Sequence, residues 1–574
     1  MAHLTKRKKG DKTYHYLAQT VRLNGRPKQQ IIRSLGTAEN IDMVFSQKDK
    51  ASLGSPPHHC NIFQFGAEAA LLDISERLGV ANIIDELVPK RTQGLSVGSY
   101  MVLAAINRAI KPCSKNTFHG WFNKTVLINS FPEANEKNLS SQSFWNHMVE
   151  LDQNTLFAIE DEITKRVVSQ YGISTNCLMF DNTNFITYIA TSNPASIPQR
   201  GHSKEKRSDL KIIGLSLMVS PDYNVPLLHE IYPGNRCDSV QFTHIIDKLK
   251  VRLSKISDAK GDITLVFDKG NNSNNGLELL ERGDIFKFHF VGGLRLNQCG
   301  DLLEIERERY TQLEGESLAR TSAFRTTKEI YGNKFTVIIT DNENLRESQL
   351  VGLKDNILKC DKELYSIQNA LKLREDGIIT KGKKRTYNSV EKNIDRILSA
   401  DYMKKIFSTS VEKNEENALS LRYNLREDQY DDVVNNFLGK TILFTNRHEW
   451  SNEKIVSTYR SQFHVEESFK QMKDVNYLSF IPVRHFTDAT IKVHGFYCVL
   501  AFTLSCLLQL ELKRLGYNMT INNALKTLDE AKQSLVFYKS EDSKKYKVVS
   551  VFSEATQAAE KYLNEYNLKK YAFK

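Results

Sequence analysis

Two aspartates each follow a short apolar run with the composition of a buried β-strand. Asp181 ends the run CLMFD, and Asp268 ends the run TLVFD. A charged residue directly after such a strand projects from the end of a sheet, where open sheets place their ligands. Asp-Asn and Asp-Lys-Gly are also good turn sequences, so either aspartate taken singly fits a turn cap as well.

A third carboxylate lies in a predicted helix that mixes aromatic, acidic and basic side chains on one face. Residues three, four, seven, eleven and fourteen positions after Tyr459 share that face. They are Gln462, Phe463, Glu466, Lys470 and Lys473. Glu467 points about 100° away, which favours Glu466. Three hard oxygen ligands from two strands and a helix suit Mg²⁺ or Mn²⁺.

The elements that must position these carboxylates alternate between strands and helices. Between residues 175 and 295, three extended runs precede a helix, an apolar strand, a second helix and another strand. After residue 440, a strand and one strong helix follow, and the helix carries Tyr459 and Glu466. This order predicts an α/β fold with a mixed sheet and helices packed on it.

Other regions flank this core. Residues 1–50 hold eleven Lys and Arg against four Asp and Glu, and two extended runs around Asn24-Gly25 predict a basic β-hairpin. From about 60 to 170, apolar residues recur at three- and four-residue spacing and predict a helical region. That region fits a DNA-contacting bundle and a packing or dimerising bundle equally well. The C-terminal tail is predicted to be helical.

The overall composition is that of a globular protein with a basic balance. The 574 residues carry a formal charge of +11, with 40% hydrophobic and 26% charged residues, which excludes a disordered or fibrous chain. The charge indicates a polyanionic partner, with nucleic acid first and a membrane surface second. The eight cysteines are scattered without a CxxC pair, which fits a reducing cytoplasm. Residues 496–512 are short for a membrane span and include Glu511, so a buried core helix is favoured.

The chain resembles the DDE transposases of bacterial insertion sequences. The IS-four-like group carries its third acidic residue in a Tyr-x-x-Arg-x-x-x-Glu-x-x-x-x-x-x-Lys signature. Tyr459, Glu466 and Lys473 match it in register, while Gln462 occupies the arginine position. Asp181-Asn-Thr183 and Asp268-Lys-Gly270 resemble the family's two aspartate motifs.

Further segments extend this resemblance over nearly the whole chain. The block from 201 to 210, with Ser203, Lys204 and Arg207, resembles the Gly-x-Ser-Lys-x-x-Arg-x-Asp-Leu block of one branch. The N-terminal run YHYLAQTVRLNGRPKQQIIRSLG is similar to that branch's opening hairpin. Pro482-Val-Arg-His485 and His494 match the segment after the catalytic helix.

The resemblance implies an RNase H-like catalytic core with a large insertion. The gap of 198 residues between Asp268 and Glu466, against 87 between the two aspartates, agrees with an insertion. The predicted regions are a basic hairpin module for DNA binding at 1–57, a helical domain for DNA-end binding or dimerisation at 58–172, the core at 173–299 and 440–515, the insertion at 300–439, and a helical tail at 516–574.

The resemblance also implies a mechanism and partners. Asp181, Asp268 and Glu466 would hold two Mg²⁺ or Mn²⁺ ions, hydrolyse the strand at the transposon end and join its 3′ end to target DNA. Tyr459 and Lys473 would contact a base or phosphate, with Ser203, Lys204 and Arg207 on the DNA backbone; in relatives the position of Gln462 makes a phosphate or flipped-base contact. Double-stranded DNA and a second copy of the chain are the expected partners, in the bacterial cytoplasm at the nucleoid and without a membrane.

Two other functions fit the same sequence. One is a domesticated DNA-binding protein whose catalytic core is inactive. The other is a metal-dependent nuclease that hydrolyses strands without joining them. Incubation with terminal-repeat DNA, target plasmid and magnesium separates the three, since they give no cuts, cuts alone, or joined products.

Overall fold

The protein divides into two compact units in the computed structural model. The structure describes residues 2–23, 26–41, 57–88, 94–256, 262–282, 288–296, 299–413, 418–539 and 546–574. Unit 1 comprises Met1–Ile173, Asn184–Ile213 and Ser468–Lys574, and unit 2 comprises Ser174–Thr183 and Gly214–Glu467. The predicted Asn24-Gly25 turn lies outside the described residues.

Unit 1 begins with a three-stranded antiparallel sheet. Its strands are β1 (Ala2–Lys9), β2 (Lys12–Leu23) and β3 (Arg26–Thr37), in the order β1-β2-β3. The sequence predicts only the last two, because β1 is dominated by basic residues and lacks an apolar alternation. Pairing with β2, from Ala2 opposite Gln19 to Lys9 opposite Lys12, makes it a strand.

The rest of unit 1 is mainly helical, as predicted for residues 60–170. The helix from Asp488 to Arg514 is long and apolar enough to cross a membrane by length and composition, yet 94% of its apolar window is buried inside the protein. It therefore packs as a core helix. The helices of unit 1 are Gly66–Leu78, Val80–Leu87, Val97–Ile110, Lys115–Phe122, Leu127–Ser130, Ser141–Met148, Gln153–Tyr171, Asp488–Arg514, Ile521–Asp529 and Gln557–Glu565.

A second small sheet corrects two expectations about unit 1. Strand β4 (Pro57–Gln64) opens the region predicted to be helical, and strands β16 (Lys532–Lys539) and β17 (Tyr546–Phe552) lie in the tail predicted to be helical. They form an antiparallel sheet in the order β17-β16-β4. Because β4 and β16 are far apart in the chain, no local pattern reveals that each completes the other's hydrogen bonds.

Unit 2 contains most of a nine-stranded mixed sheet, which confirms the predicted α/β class. Its order is β7-β6-β5-β8-β9-β15-β12-β11-β10. The parallel strands β5, β8 and β9 are followed by antiparallel pairing from β9 to β15 and outward. The strands are β5 (Cys177–Thr187), β6 (Lys211–Val219), β7 (Pro226–Pro233), β8 (Ile263–Phe267), β9 (Phe288–Leu294), β10 (Thr311–Gln312), β11 (Thr321–Ile330), β12 (Asn333–Asn342) and β15 (Lys440–Thr445).

The segment between β9 and β15 extends this sheet and adds a helical layer. Strands β10 to β12 continue the sheet through the β12–β15 pair. The long helix Glu343–Glu375 packs with later helices and the hairpin β13 (Phe407–Lys413) and β14 (Leu419–Leu425) around its own apolar cluster. The helices that include unit 2 residues are Asp238–Ile256, Asn274–Glu281, Gly300–Leu303, Glu343–Glu375, Tyr387–Ile397, Met403–Ile406, Glu427–Asp432, Asn452–Arg460 and Phe463–Met472.

Candidate active site

The two aspartates lie side by side on neighbouring parallel strands. Strands β5 and β8 pair in parallel with Phe180 beside Phe267, so the next residues along them are Asp181 and Asp268. Strands at this spacing are about 4.8 Å apart. Strand β8 ends at Phe267 as the sequence predicts, but β5 continues through Asp181 to Thr187 because β6 lies on its other side.

Tyr459 lies within electrostatic reach of all three predicted carboxylates. Its hydroxyl donates a hydrogen bond of 3.2 Å to Oδ1 of Asp268. Burial is the largest cause that raises the pKa of this phenol above its usual range, followed by the charge of Asp268, that hydrogen bond, and the charges of Glu466 and Asp181. The phenol is therefore neutral and acts as a donor, and all three carboxylates lie near enough to act on it electrostatically.

Gly293 on β9 makes room for Tyr459. A Cβ atom at this position would lie 2.5 Å from the Tyr459 hydroxyl oxygen and 3.2 Å from its Cζ atom. Strand β9 follows β8 in the sheet with Gly292 beside Phe267, so Gly293 lies one step along, next to Asp268. Sequence reasoning missed this residue, although glycines inside a strand pattern indicate close approach of another group.

The predicted single helix around Glu466 is broken in two. The structure has helices Asn452–Arg460 and Phe463–Met472, with a break at Ser461 and Gln462. Gln462 is buried, and its Nε2 donates to the carbonyl oxygen of Phe180 at 3.1 Å, directly before Asp181. It therefore attaches the start of the Glu466 helix to β5, and Glu466 itself is exposed.

A buried polar network connects residues that closely follow the two aspartates in sequence. Asn182 donates to Asn271 at 2.9 Å and accepts a hydrogen bond of 2.7 Å from Ser216, which in turn accepts from Gln241 at 3.1 Å. All four side chains are buried. Asn182 follows Asp181, and Asn271 lies three residues after Asp268, so the network ties the two aspartate segments together. Buried amides of this kind are fixed by their partners, and the sequence motifs did not single them out.

The other predicted DNA contacts lie in unit 1. Lys473 Nζ is 3.9 Å from a carboxylate oxygen of Glu205. Burial lowers the pKa of Lys473, the charge of Glu205 opposes that change, and the charge of Lys204 lowers it further. Lys204 and Lys473, two predicted contacts that are far apart in sequence, thus lie near enough for the charge of Lys204 to act on Lys473.

Ser203 and Arg207 have local roles in the same loop. Ser203 is buried, and its hydroxyl accepts from the Glu205 backbone N–H at 3.2 Å. Arg207 is exposed and makes a two-pronged contact of 2.8 and 2.7 Å with Asp209. Ser203 therefore shapes the loop, and the Arg207 guanidinium is already paired with a carboxylate.

The carboxylates offer the donor chemistry of a divalent cation site. Among the residues that the structure describes, no group of three or more His, Cys, Asp or Glu side chains is assembled as a metal site. Mg²⁺ usually takes one or two protein carboxylates and completes its shell with water and substrate phosphate. Asp181, Asp268 and Glu466 supply the hard carboxylate oxygen atoms that such ions take, so the residues fit Mg²⁺ or Mn²⁺ together with a bound phosphate.

Comparison with protein families gives a match at the N-terminal end of the chain. Residues 3–51 match the family model described as IS1634 family transposase, N-terminal domain, which supports an insertion-sequence transposase. No curated protein matches the chain. A solved structure, the cryo-EM structure of the piggyBac transposase synaptic complex with hairpin DNA, is similar over 80% of this chain and 79% of that chain, at 10% identity and a TM-score of 0.36. That likeness is too weak to carry a conclusion about this chain.

Proposed function

We propose that this protein is an insertion-sequence DNA transposase of the DDE type, in which Asp181, Asp268 and Glu466 carry the phosphodiester chemistry. The observation that carries the proposal is the β5–β8 register, which sets Asp181 beside Asp268. The shared influence of all three carboxylates on Tyr459 supports the inclusion of Glu466. The family match of residues 3–51 supports transposition as the process.

The proposed core is RNase H-like. Its support is the strand order β7-β6-β5-β8-β9, with β8 and β9 parallel to β5. In such an open sheet, ligands bind beyond the carboxyl ends of parallel strands, which is where Asp268 lies. Residues between β9 and β15 are the proposed insertion.

The side chains of this site have separable tasks in the proposed reaction. Two bound Mg²⁺ or Mn²⁺ ions would supply an activated water or 3′-hydroxyl and stabilise charge on the phosphate and the leaving oxygen. Asp181, Asp268 and Glu466 would hold those ions. The Tyr459 hydroxyl orients Asp268 by donating to Oδ1, and Gln462 anchors the Glu466 helix to β5. Asn182 and Asn271 keep the two aspartate segments in register.

The proposed partners follow from the same chemistry. Double-stranded DNA, as transposon ends and as target, would contact the exposed Glu466 region and the basic N-terminal sheet. Lys204 and Lys473 would contact phosphates as point charges. Synapsis of two transposon ends would bring two copies of the chain together, so a homodimer is part of the proposal.

Carboxylate substitutions test the proposal. Asp181→Asn, Asp268→Asn and Glu466→Gln should each abolish strand cleavage of DNA that carries the gene's flanking repeats, with Mg²⁺ and a target plasmid present. Binding of the same DNA should stay within about threefold, because these residues act on the metal and not on the DNA backbone. Glu467→Gln is the matched control and should cut normally.

The products distinguish the proposal from its alternatives. Joined products from the unaltered protein support a transposase. Cuts without joining would indicate a nuclease, and no cuts would indicate a DNA-binding protein. Cleavage retained by Glu466→Gln would exclude Glu466 from the site.

A further inference from the structure

A large cavity in unit 1 is lined by residues to which the proposed reaction gives no role. Its volume is about 990 Å³, at the upper end of the 300–1,000 Å³ typical of small-molecule sites. The lining comes from the end of helix Val97–Ile110, the start of helix Lys115–Phe122, the length of helix Ser141–Met148, the residues Tyr188 and Tyr497, and the segment from 482 to 486.

Two cations at the wall of this cavity have unsatisfied donors. Arg108 is 6% exposed; its Nη1 donates to the Ser479 carbonyl oxygen at 3.2 Å and its guanidinium also hydrogen-bonds to Tyr497, whereas its Nε has no hydrogen-bond partner among the described residues. The Nζ atom of Lys115 is buried without a hydrogen-bond partner among the described residues. It lies 4.3 Å from the ring centre of Phe144 and 4.7 Å from that of Tyr497.

The cavity lining holds positive charge without a matching negative charge. Its described residues include Arg108, Lys115 and Arg484 but no Asp or Glu. Burial, with Arg108 as the next cause, lowers the pKa of Lys115 to about 7. Lys115 is therefore only partly protonated at neutral pH, and an anion placed between Lys115 and Arg108 would favour its charged form and be attracted to both side chains.

Two helix starts add to the positive potential. The helices Lys115–Phe122 and Ser141–Met148 both begin at the cavity, and helix N-termini carry a partial positive charge that binds phosphate. Ser114 caps the first helix, but its side chain makes no capping hydrogen bond to a backbone N–H of that helix. The Nε atom of Arg108 and the Nζ atom of Lys115, which lack hydrogen-bond partners among the described residues, point independently to the same class of ligand.

The rim of the cavity carries exposed aromatic side chains. Trp145 is 44% exposed, Tyr188 67% and Phe486 61%, and all three line the cavity. Three exposed rings around one opening form an apolar patch of the kind that marks ligand or interaction sites. Any nucleobase can stack on such rings, whichever base it is.

We infer that this cavity binds a nucleotide, with its phosphate at Arg108 and Lys115 and its base against the aromatic rim. The nucleotide comes either from an unpaired DNA strand, a source that rests on the proposed function, or from a free mononucleotide. Both sources share the chemistry of an aromatic base linked to a phosphate.

Calorimetry with the full-length protein tests the inference, with dAMP as the probe. Lys115→Met keeps the side-chain length and removes the buried charge, so it should fold and should weaken dAMP binding at least tenfold. Trp145→Ala, at an exposed position, should weaken it severalfold. Trp121→Ala, a tryptophan that does not line the cavity, should change it less than twofold.

Competing probes separate the two sources and define failure. A ten-nucleotide single strand that displaces dAMP supports a DNA source, whereas dAMP binding that the strand does not displace supports a free nucleotide. Unchanged binding of both probes by Lys115→Met would overturn the inference, as would ribose 5-phosphate binding as tightly as dAMP. Asp181→Asn should bind dAMP like the unaltered protein, so failure of the cleavage assay is separate from failure here.

Discussion

The close approach of Tyr459 to Gly293 yields a quantitative prediction about the site. In Gly293→Ala, the new Cβ would lie 2.5 Å from the Tyr459 hydroxyl oxygen, closer than the 3.0 Å below which real Cβ contacts essentially do not occur. The neighbouring atom is the polar end of a buried ring, so the ring must move. That movement breaks the 3.2 Å hydrogen bond to Asp268.

The energetic cost has two parts. Overpacking of a buried site costs about 1–3 kcal/mol. Loss of a hydrogen bond to a charged acceptor costs about 1.5–3 kcal/mol. Tyr459→Phe loses the same hydrogen bond but also removes the oxygen that the new methyl group meets, which leaves only the 3.2 Å approach to Cζ. The double variant should therefore be at least about 1.5–3 kcal/mol more stable than the sum of the single changes implies, because both single variants lose the same hydrogen bond.

Urea unfolding of the four proteins in this mutant cycle measures that coupling. Gly292→Ala is the matched control, because its Cβ would meet the Phe444 and Phe267 rings at 2.6 and 2.7 Å instead of Tyr459. It should destabilise the protein and combine additively with Tyr459→Phe. Additivity within about 0.5 kcal/mol for the Gly293 pair would refute the close approach.

The same variants test whether the hydrogen bond orients Asp268 for catalysis. Gly293→Ala should slow Mg²⁺-dependent plasmid nicking by about tenfold or more, the rate change that corresponds to 1.36 kcal/mol in the barrier. Gly292→Ala should nick at a rate near that of the unaltered protein under conditions where both are folded. Equal rates for both glycine variants would show that Tyr459 has no positioning role.

Three further predictions concern other buried or charged groups. Burial is the main cause, and the charge of Asp529 the next, that raises the pKa of Glu68 from 4.5 to about 8. Between these two pH values the folded protein keeps a proton on Glu68 that the unfolded chain has lost, so the free energy of unfolding falls as pH rises from 4.5 to 8. Glu68→Gln should therefore gain more stability in urea unfolding at pH 9 than at pH 5, by a few kcal/mol; equal gains at both pH values would contradict this. Gln462→Leu should reduce DNA nicking severalfold with DNA affinity unchanged, since it loses only the bond to Phe180, and a parallel loss of affinity would indicate a direct DNA contact. Lys473→Met should make the DNA affinity less dependent on salt concentration, by the amount that corresponds to about one phosphate contact. An unchanged dependence of affinity on salt would remove Lys473 from the interface.

The local patterns were sufficient for several parts of the structure. Apolar runs before Asp181 and Asp268 predicted strands, and the mixed α/β class followed from the order of elements. Both predictions depend on side-chain periodicity within a few residues, which is a property of the sequence itself. The same reasoning correctly favoured a buried core helix over a membrane span for residues 496–512, because its polar side chains interrupt the apolar stretch.

Other features required contacts between distant segments. The helical repeat predicted that Tyr459, Glu466 and Lys473 share one continuous face. The helix is broken at Ser461 and Gln462, so the repeat does not continue from Tyr459 to Glu466. Gln462 is buried against the Phe180 carbonyl, a partner that no spacing within the helix could indicate. Likewise β4 and β16 pair although their sequences lie in regions that the local pattern predicted to be helical.

By itself the sequence determined which residue types could carry metal-dependent phosphodiester chemistry and which short segments would be strands or helices. Only the tertiary structure decided that Asp181 lies beside Asp268, that Gly293 leaves space for the Tyr459 hydroxyl, and that the charge of Lys204 acts on Lys473. The physical reason is that secondary-structure periodicity is local, whereas strand register and close packing depend on which buried surfaces fit together once the whole chain is folded.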